Sequence, residues 1–425
     1  MRFVICFLMG VTSWLSSGYT ETAQSLSKAG VTWTFSEPRE VGQFANGDWW
    51  VLGPVTITEI SPASVNQQNG SMINPKVWRA QAFDDRVQGN EYDPSLNVAT
   101  QLPLRIDYPA SLLSSISLKE KAVRDNPQLD VIVILTVLLE VPPEGSFRPP
   151  YVGDDKTIPG NKSQLDFSIL RNLEPVSGAP ADLVQLAQRF ELPYIETNPR
   201  WTGRYMHPKR NQPAYGRELS RRLGLGLLAL QLDYPNEVKE PLYINMVQIG
   251  IDFYGAVQGG AHWLADGGHN QGRKMPMLLA GMALADPDIL AYADAGEYMI
   301  FQEDQQTFYV TQEHIDQPRK TTKKRPLSPY TQEMLGMPEW GIRNYHNPEK
   351  SGSNWRAYYR TVSGSTTITH ALVARLMGLE EQWNHPAFFD YYDRYWLIES
   401  NPETAVGHSK NGIQQFTRSM WEAYR

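Results

Sequence analysis

Residues 131–141 read VIVILTVLLEV, an apolar run interrupted only by Thr136 and Glu140. Its length and content are those of a strand buried on both faces. Around it, residues 24–165 are rich in Pro, Gly, Asn and Ser, with shorter β-prone runs at 31–35 and 49–60. Turn signals such as Asn46-Gly47-Asp48, Asn69-Gly70 and Pro143-Glu144-Gly145 separate these runs. This part is expected to form a β-rich N-terminal module.

From about residue 179 the pattern changes. Leu219, Leu223, Leu227 and Leu230 recur at helical spacing, as do Tyr243, Val247, Gly250, Ile251 and Tyr254. Further helices are expected over 181–190, 276–284, 288–297, 367–379 and 386–398, with Pro276 at a first helical position. A basic, polar insert at 317–328 reads as an exposed loop. Sequential helices joined by polar loops predict a mainly α chain, an α/α toroid (an incomplete barrel) preceded by the β-rich module. A helical bundle would show the same periodicity.

Residues 1–23 have the order of a secretory signal peptide: Arg2, an apolar run over 3–15, then small and polar residues, with cleavage between Gly18 and Ala23. The apolar run is shorter than the roughly 20 residues a membrane span needs. The expected organisation is a signal peptide at 1–23, the β-rich module at 24–165 and a catalytic domain at 166–425. The protein is then secreted or periplasmic, with no membrane insertion after cleavage. The single cysteine, Cys6, leaves with the leader, so the mature chain has no disulfide, cysteine nucleophile or thiolate site. Stability must come from a hydrophobic core, for which 41% apolar residues suffice.

A net charge of −7 argues against nucleic acid as partner. The charge is uneven, however. Seven basic residues lie within 198–224 (Arg200, Arg204, Lys209, Arg210, Arg217, Arg221, Arg222) against one acid, Glu218. Such a stretch is either a solvated face or the lining of a groove for a polyanion. Twelve tryptophans and 21 tyrosines could line a sugar cleft or fill the core.

Three clusters could carry chemistry. The densest runs from Gly259 to Lys274 and holds His262, Trp263, Asp266, His269, Asn270 and Arg273 among five glycines. Those glycines predict a helix ending near Trp263 and a loop leading to the helix at Pro276, whose N-terminus favours anions. A metal site from His262, Asp266 and His269, a set of loop caps and an active-site rim are all compatible with it; the rim is the preferred reading. The second cluster is Asn354-Trp355-Arg356-Ala357-Tyr358-Tyr359-Arg360. An arginine beside a tyrosine favours its phenolate, which suits a proton-transfer role, although these aromatics could equally be core. The third, in the basic stretch, comprises Trp201, Arg204, His207 and Asn211; Asn211 or His207 could hold a sugar carboxylate or cap the next helix. No GxSxG, P-loop, GxGxxG or HExxH pattern is present.

The stretches DGGHNQGRKMP (266–276), WRAYYR (355–360) and NHPAFFDYYDRY (384–395) resemble alginate- and glucuronan-type polysaccharide lyases, family 38 in particular. The resemblance covers the helical half and leaves the β-rich half unmatched. It implies an α/α toroid and metal-independent β-elimination on an anionic, uronic-acid polysaccharide, with no cofactor. It also implies Tyr359 or Tyr358 as base and acid and His262 or His269 as partner base. Asn211, Arg273 and Arg356 would neutralise the carboxylate, with His207, Arg204, Asn270, Trp263 and Trp201 around the substrate. Two alternatives stand beside it. One is a glycoside hydrolase with paired carboxylates drawn from Asp252, Asp266, Glu297 and Glu303. The other is a non-catalytic glycan-binding protein using Trp49, Trp50 and Trp78.

Overall fold

The computed structural model describes residues 21–77, 80–87, 92–120, 128–316, 330–341, 358–405 and 412–425. Eight strands lie in one mixed sheet: β1 (Glu21–Lys28), β2 (Val31–Gln43), β3 (Trp49–Leu52), β4 (Val55–Ser61), β5 (Ser71–Ile73), β6 (Leu104–Ile106), β7 (Ala110–Ser117) and β8 (Leu129–Leu138). The order is β5-β7-β8-β3-β2-β4-β6, with β1 paired to β2. The β1–β2 hairpin closes through Ala29 (φ 50°) and Gly30 (φ 100°), the left-handed pair that a two-residue turn requires.

The apolar run of the sequence supplies β8, between antiparallel β7 and parallel β3. The strand stops at Leu138, and Leu139 and Val141 are exposed. Its alternation serves two cores. Val131, Val133, Leu135 and Val137 pack with Trp33, Phe35, Val41 and Val51 inside the curl of the sheet. Ile132 and Ile134 face the other way, into the larger core shared with the helices. Of the tryptophans of this part, Trp50 is buried, and half-buried Trp49 donates Nε1 to the Ser27 carbonyl at 3.1 Å. Trp78 lies outside the described residues.

The helical part comprises α1 (Leu183–Ala187), α2 (Gly216–Ala229), α3 (Asn236–Gln258), α4 (Lys274–Leu284), α5 (Pro287–Tyr292), α6 (Gln302–Gln306), α7 (Gln312–Asp316), α8 (Tyr358–Leu376), α9 (Glu380–Trp383), α10 (Pro386–Glu399) and α11 (Gln415–Tyr424). A two-stranded ribbon of β9 (Thr307–Tyr309) and β10 (Pro338–Trp340) lies among them. The basic insert at 317–328 falls outside the described residues.

This architecture corrects the expected one. Among the described residues 38% are helical and 20% strand, and the helices form no α/α toroid, so the architecture is not mainly α. Helix α3 shows why periodicity misled: sixteen of its 23 residues are buried. A helix buried on nearly every side is a central element, not one wall of a ring. Sequence spacing reports which residues of a helix face apolar surroundings, and is silent on whether those surroundings are a partner helix or a sheet.

Sheet and helices are joined by a buried ion network. Arg148 donates Nε to Asp48 at 2.7 Å, in the turn between β2 and β3, and Nη2 to Asp252 on α3 at 2.5 Å. Gln248, one turn earlier on α3, brackets the Arg148 backbone with two hydrogen bonds, accepting from its N–H at 2.9 Å and donating to its carbonyl at 3.0 Å. Lys28, at the β1–β2 hairpin, adds a second cation on Asp48 at 2.5 Å. Burial opposes ionisation of Asp48, but Lys28 and Arg148 outweigh it and hold the carboxyl below its usual range. For Asp252, burial prevails over Arg148 and pushes the group up to about 6. Removing Arg148 would strand the buried Asp252 carboxyl and leave Asp48 with Lys28 alone, so Arg148→Met is expected to destabilise the fold by about 3–5 kcal/mol in chemical denaturation. Arg39→Met, at the exposed pair with Glu37, should cost less than about 1 kcal/mol. Equal effects would refute the assigned weight of the buried network.

Candidate active site

Glu196 is the centre around which the site is built. It is buried, and its backbone amide donates to the Tyr151 hydroxyl at 2.8 Å, while that hydroxyl donates to the Tyr194 carbonyl at 2.8 Å. Its carboxylate accepts from Trp263 Nε1 at 3.0 Å, Arg273 Nη2 at 2.8 Å and Gln212 Nε2 at 3.3 Å. Buried charge survives only when paired and hydrogen-bonded, and these three donors meet that condition.

Two chain segments close over this carboxylate. One follows α3, which ends at Gln258, five residues earlier than the glycine pattern suggested. Trp263 then stacks on Phe301 with ring centroids 5.7 Å apart, and the loop of Asp266 to Gly272 carries His269 and Asn270. Arg273 caps α4, and its Nη1 donates to the carbonyls of His269 (3.1 Å) and Gln271 (2.8 Å). The other segment contains Asn198, Arg200, the short 3-10 helix Trp201–Tyr205 bearing Arg204, and His207. Asn270 ties the two together, donating Nδ2 to the carbonyls of Leu264 (2.8 Å) and Pro199 (3.3 Å). Gly216, first residue of α2, lies flat against this loop: a Cβ there would come within 1.8 Å of the His269 carbonyl oxygen.

Glu196, Asn198, Arg200, Arg204, His207, His269, Asn270 and Arg273 thus surround a tight recess of about 10 Å³, the room of a single water. Three guanidiniums against one carboxylate leave it positive. The His207 Nδ1 lies 3.3 Å from the Pro213 carbonyl, which can only accept, so Nδ1 carries the hydrogen; Nε2 is 3.9 Å from Glu196. Burial pulls His207 down to about 4 despite Glu196. His269 also falls to about 4, through burial and the nearby charges of Arg204 and Arg273. Its ring meets the Tyr215 ring edge-on at 4.7 Å, and its buried Nδ1 has no hydrogen-bond partner. A positive recess lined by neutral imidazoles can hold an anion and accept a proton from it.

A larger cleft of about 430 Å³ lies beside the end of α3 and carries Asp154, Asp155 and Asp286. None of its lining residues is basic, and no imidazole reaches it, so the smaller recess is the better candidate for anion chemistry. Among the described residues, no group of three or more His, Cys, Asp or Glu could hold a metal ion.

Of the residues singled out in the sequence, Arg204, His207, His269, Asn270 and Arg273 meet at the recess, and Trp263 lies beneath it as a donor to Glu196. The remaining candidates are found as follows. His262 is exposed and outside the lining. Asn211 is fully buried and bridges backbone, accepting from Ile132 N and donating to the Ile132 and Pro193 carbonyls, so it braces β8 and binds no substrate. Trp201 lies in the short 3-10 helix, Tyr358 and Tyr359 begin α8, and Arg356 falls outside the described residues. Of the carboxylates offered for hydrolysis, Asp252 holds Arg148, Glu303 accepts from the Gly272 amide, Glu297 is exposed, and Asp266 is in the loop. Missing from the sequence expectations were Glu196, Asn198 and the helix α6, of which only Glu303 was named, as a carboxylate for hydrolysis.

No family model, curated protein or solved structure matches the chain. The fold and recess therefore stand on their own geometry, and the toroid implied by the lyase resemblance is not there to support it.

The neutrality of His269 is open to direct measurement. Its imidazole resonance should keep the neutral shift until the pH approaches 4, and that low-pH transition should vanish in His269→Asn. A midpoint for His269 at 6.5 or above would remove the neutral base from the site.

Proposed function

We propose that the chain is an exported lyase that cleaves a uronic-acid polysaccharide of the alginate or glucuronan type by β-elimination. What carries the reading is the neutral imidazole of His269, its Nδ1 unpartnered, beside the guanidiniums of Arg204 and Arg273. Arg200 and Arg204 line the recess, where they would pair with the uronate carboxylate and lower the barrier to charge developing at C5. His269 would take the C5 proton. The electron pair left at C5 becomes the C4–C5 double bond as the C4–O4 bond breaks. The departing oxygen then needs a proton, and Tyr359 or Tyr358, at the start of α8, is the sequence's candidate donor. Arg273 is bound to Glu196 and to two carbonyls, which suits it to fixing the loop more than to meeting substrate.

Incubating the purified mature protein with alginate, glucuronan and other polyuronates tests this directly, because β-elimination leaves a conjugated double bond that absorbs in the ultraviolet. Absorbance should rise with one substrate, and His269→Ala should lower the rate by about 10²–10⁴-fold. New reducing ends without absorbance would replace the lyase with a hydrolase. Binding without turnover would make it a glycan-binding protein.

Export makes a second prediction. Glu21, Thr22 and Ala23 pair with Val41, Glu40 and Arg39, so a leader removed after Gly18 leaves β1 whole. N-terminal sequencing of exported protein should begin at Tyr19. A start beyond Ala23 would contradict the β1–β2 register.

A further inference from the structure

Helix α6 is buried except for half-exposed Gln305, and its first four side chains all reach the segment that carries the site. Gln302 Oε1 accepts from the amides of Asn270 (3.0 Å) and Asp266 (3.3 Å), and its Nε2 donates to the Gly267 carbonyl at 2.7 Å. Glu303 accepts from the Gly272 amide. Asp304 takes the Lys274 ammonium at 2.7 Å, and Gln305 accepts from the Ala265 amide at 2.8 Å. The loop bearing His269 is therefore held from behind by one short helix.

Within that clamp Glu303 differs from its neighbours. It is fully buried, and its Oε2 has no partner; nor does the Nε of Arg273, on the loop it holds. We propose that Glu303 is a positioning residue whose charge state sets how strongly the recess holds an anion, acting through the Gly272 amide and the Arg273 guanidinium. The proposal rests on the anion-binding reading of the recess given above. The groups around Glu303 are Asp304 on its own helix, Arg273 and Lys274 at the start of α4, and Tyr392 on α10. Lys274 is paired with Asp304, whereas Arg273, paired with Glu196 through Nη2, keeps an unpartnered Nε with which to answer a charge on Glu303. Burial pushes the Glu303 carboxyl up to about 7, with the Gly272 amide and Arg273 pulling it down and Asp304 pushing it up. Above that pH Glu303 is negative and subtracts from the positive potential of the recess; below it the carboxyl is neutral. His207 and His269, both near 4, do not change charge over this range. Anion affinity should thus fall as the pH rises through 7.

Sulfate is a suitable probe because its charge is constant from pH 6 to 8. Titration calorimetry at fixed ionic strength should show wild-type protein binding sulfate roughly five-fold more weakly at pH 8 than at pH 6, the effect of one charge at an intermediate effective dielectric. Glu303→Gln keeps a carbonyl for the Gly272 amide and should bind equally at both. An unchanged pH dependence in this variant, or no sulfate binding by the wild type at pH 6, would overturn the proposal. A second measurement needs no substitution: the carboxyl carbon resonance of Glu303 in labelled wild-type protein. By reciprocity, saturating sulfate should raise its titration midpoint by roughly 0.7 pH unit, and an unmoved midpoint counts against the coupling. Neither readout involves turnover. Sulfate binding with the expected pH response but no double-bond product from any polyuronate would sink the lyase reading and leave the role of Glu303 intact.

Discussion

The ion network of Arg148 is the joint on which the molecule turns. The sheet contributes Asp48 and Lys28, the central helix contributes Asp252, and the connection between them contributes the arginine itself. Two cations and two anions are confined in a place where any one alone would be intolerable. Because the geometry fixes α3 against the sheet, it also fixes where α3 ends, and the loop bearing His269 begins there. Gln248 strengthens the joint by holding the arginine's backbone, so the connection is anchored by main chain and side chain alike.

The recess shows a second use of buried charge. Glu196 and Arg273 satisfy each other and hold the two covering segments in place, whereas burial keeps both histidines uncharged, against Glu196 at His207 and together with Arg204 and Arg273 at His269. Basicity and positive potential are usually in tension, since a protonated imidazole would supply charge but could not accept a proton. Here the guanidiniums supply the potential and the imidazoles remain unprotonated, a division of labour that desolvation enforces.

Much of this was legible in the sequence, and the failures have physical causes. The β8 run, the turn signals and the helix positions follow from local periodicity, which one chain displays openly. Helix α2 spans 216–229 against an apolar spacing over 219–230, and α10 begins at Pro386 as the proline suggested. The toroid failed because packing partners are not local: α3 looks one-faced by spacing and is buried almost all round. The Gly-rich cluster was found because glycines and histidines together are conspicuous. Glu196 and α6 were missed because a buried, satisfied polar residue has the same letter as a solvated one. Gln302 and Glu303 reveal themselves only through the amides they meet, up to some thirty residues away. Asn211 erred in the opposite direction, a plausible sugar ligand whose amide is fully engaged with backbone.

Contact between Gly216 and the His269 carbonyl bears on how such a site could change over time. The helix start and the loop touch main chain to main chain, so their spacing is independent of which side chain stands at 269. Chemistry at that position could therefore be exchanged while the frame persists, whereas any side chain at 216 would force the loop aside. In sequences descended from a common ancestor with this chain, the glycine should outlast the histidine, and it is the more dependable marker of the same architecture.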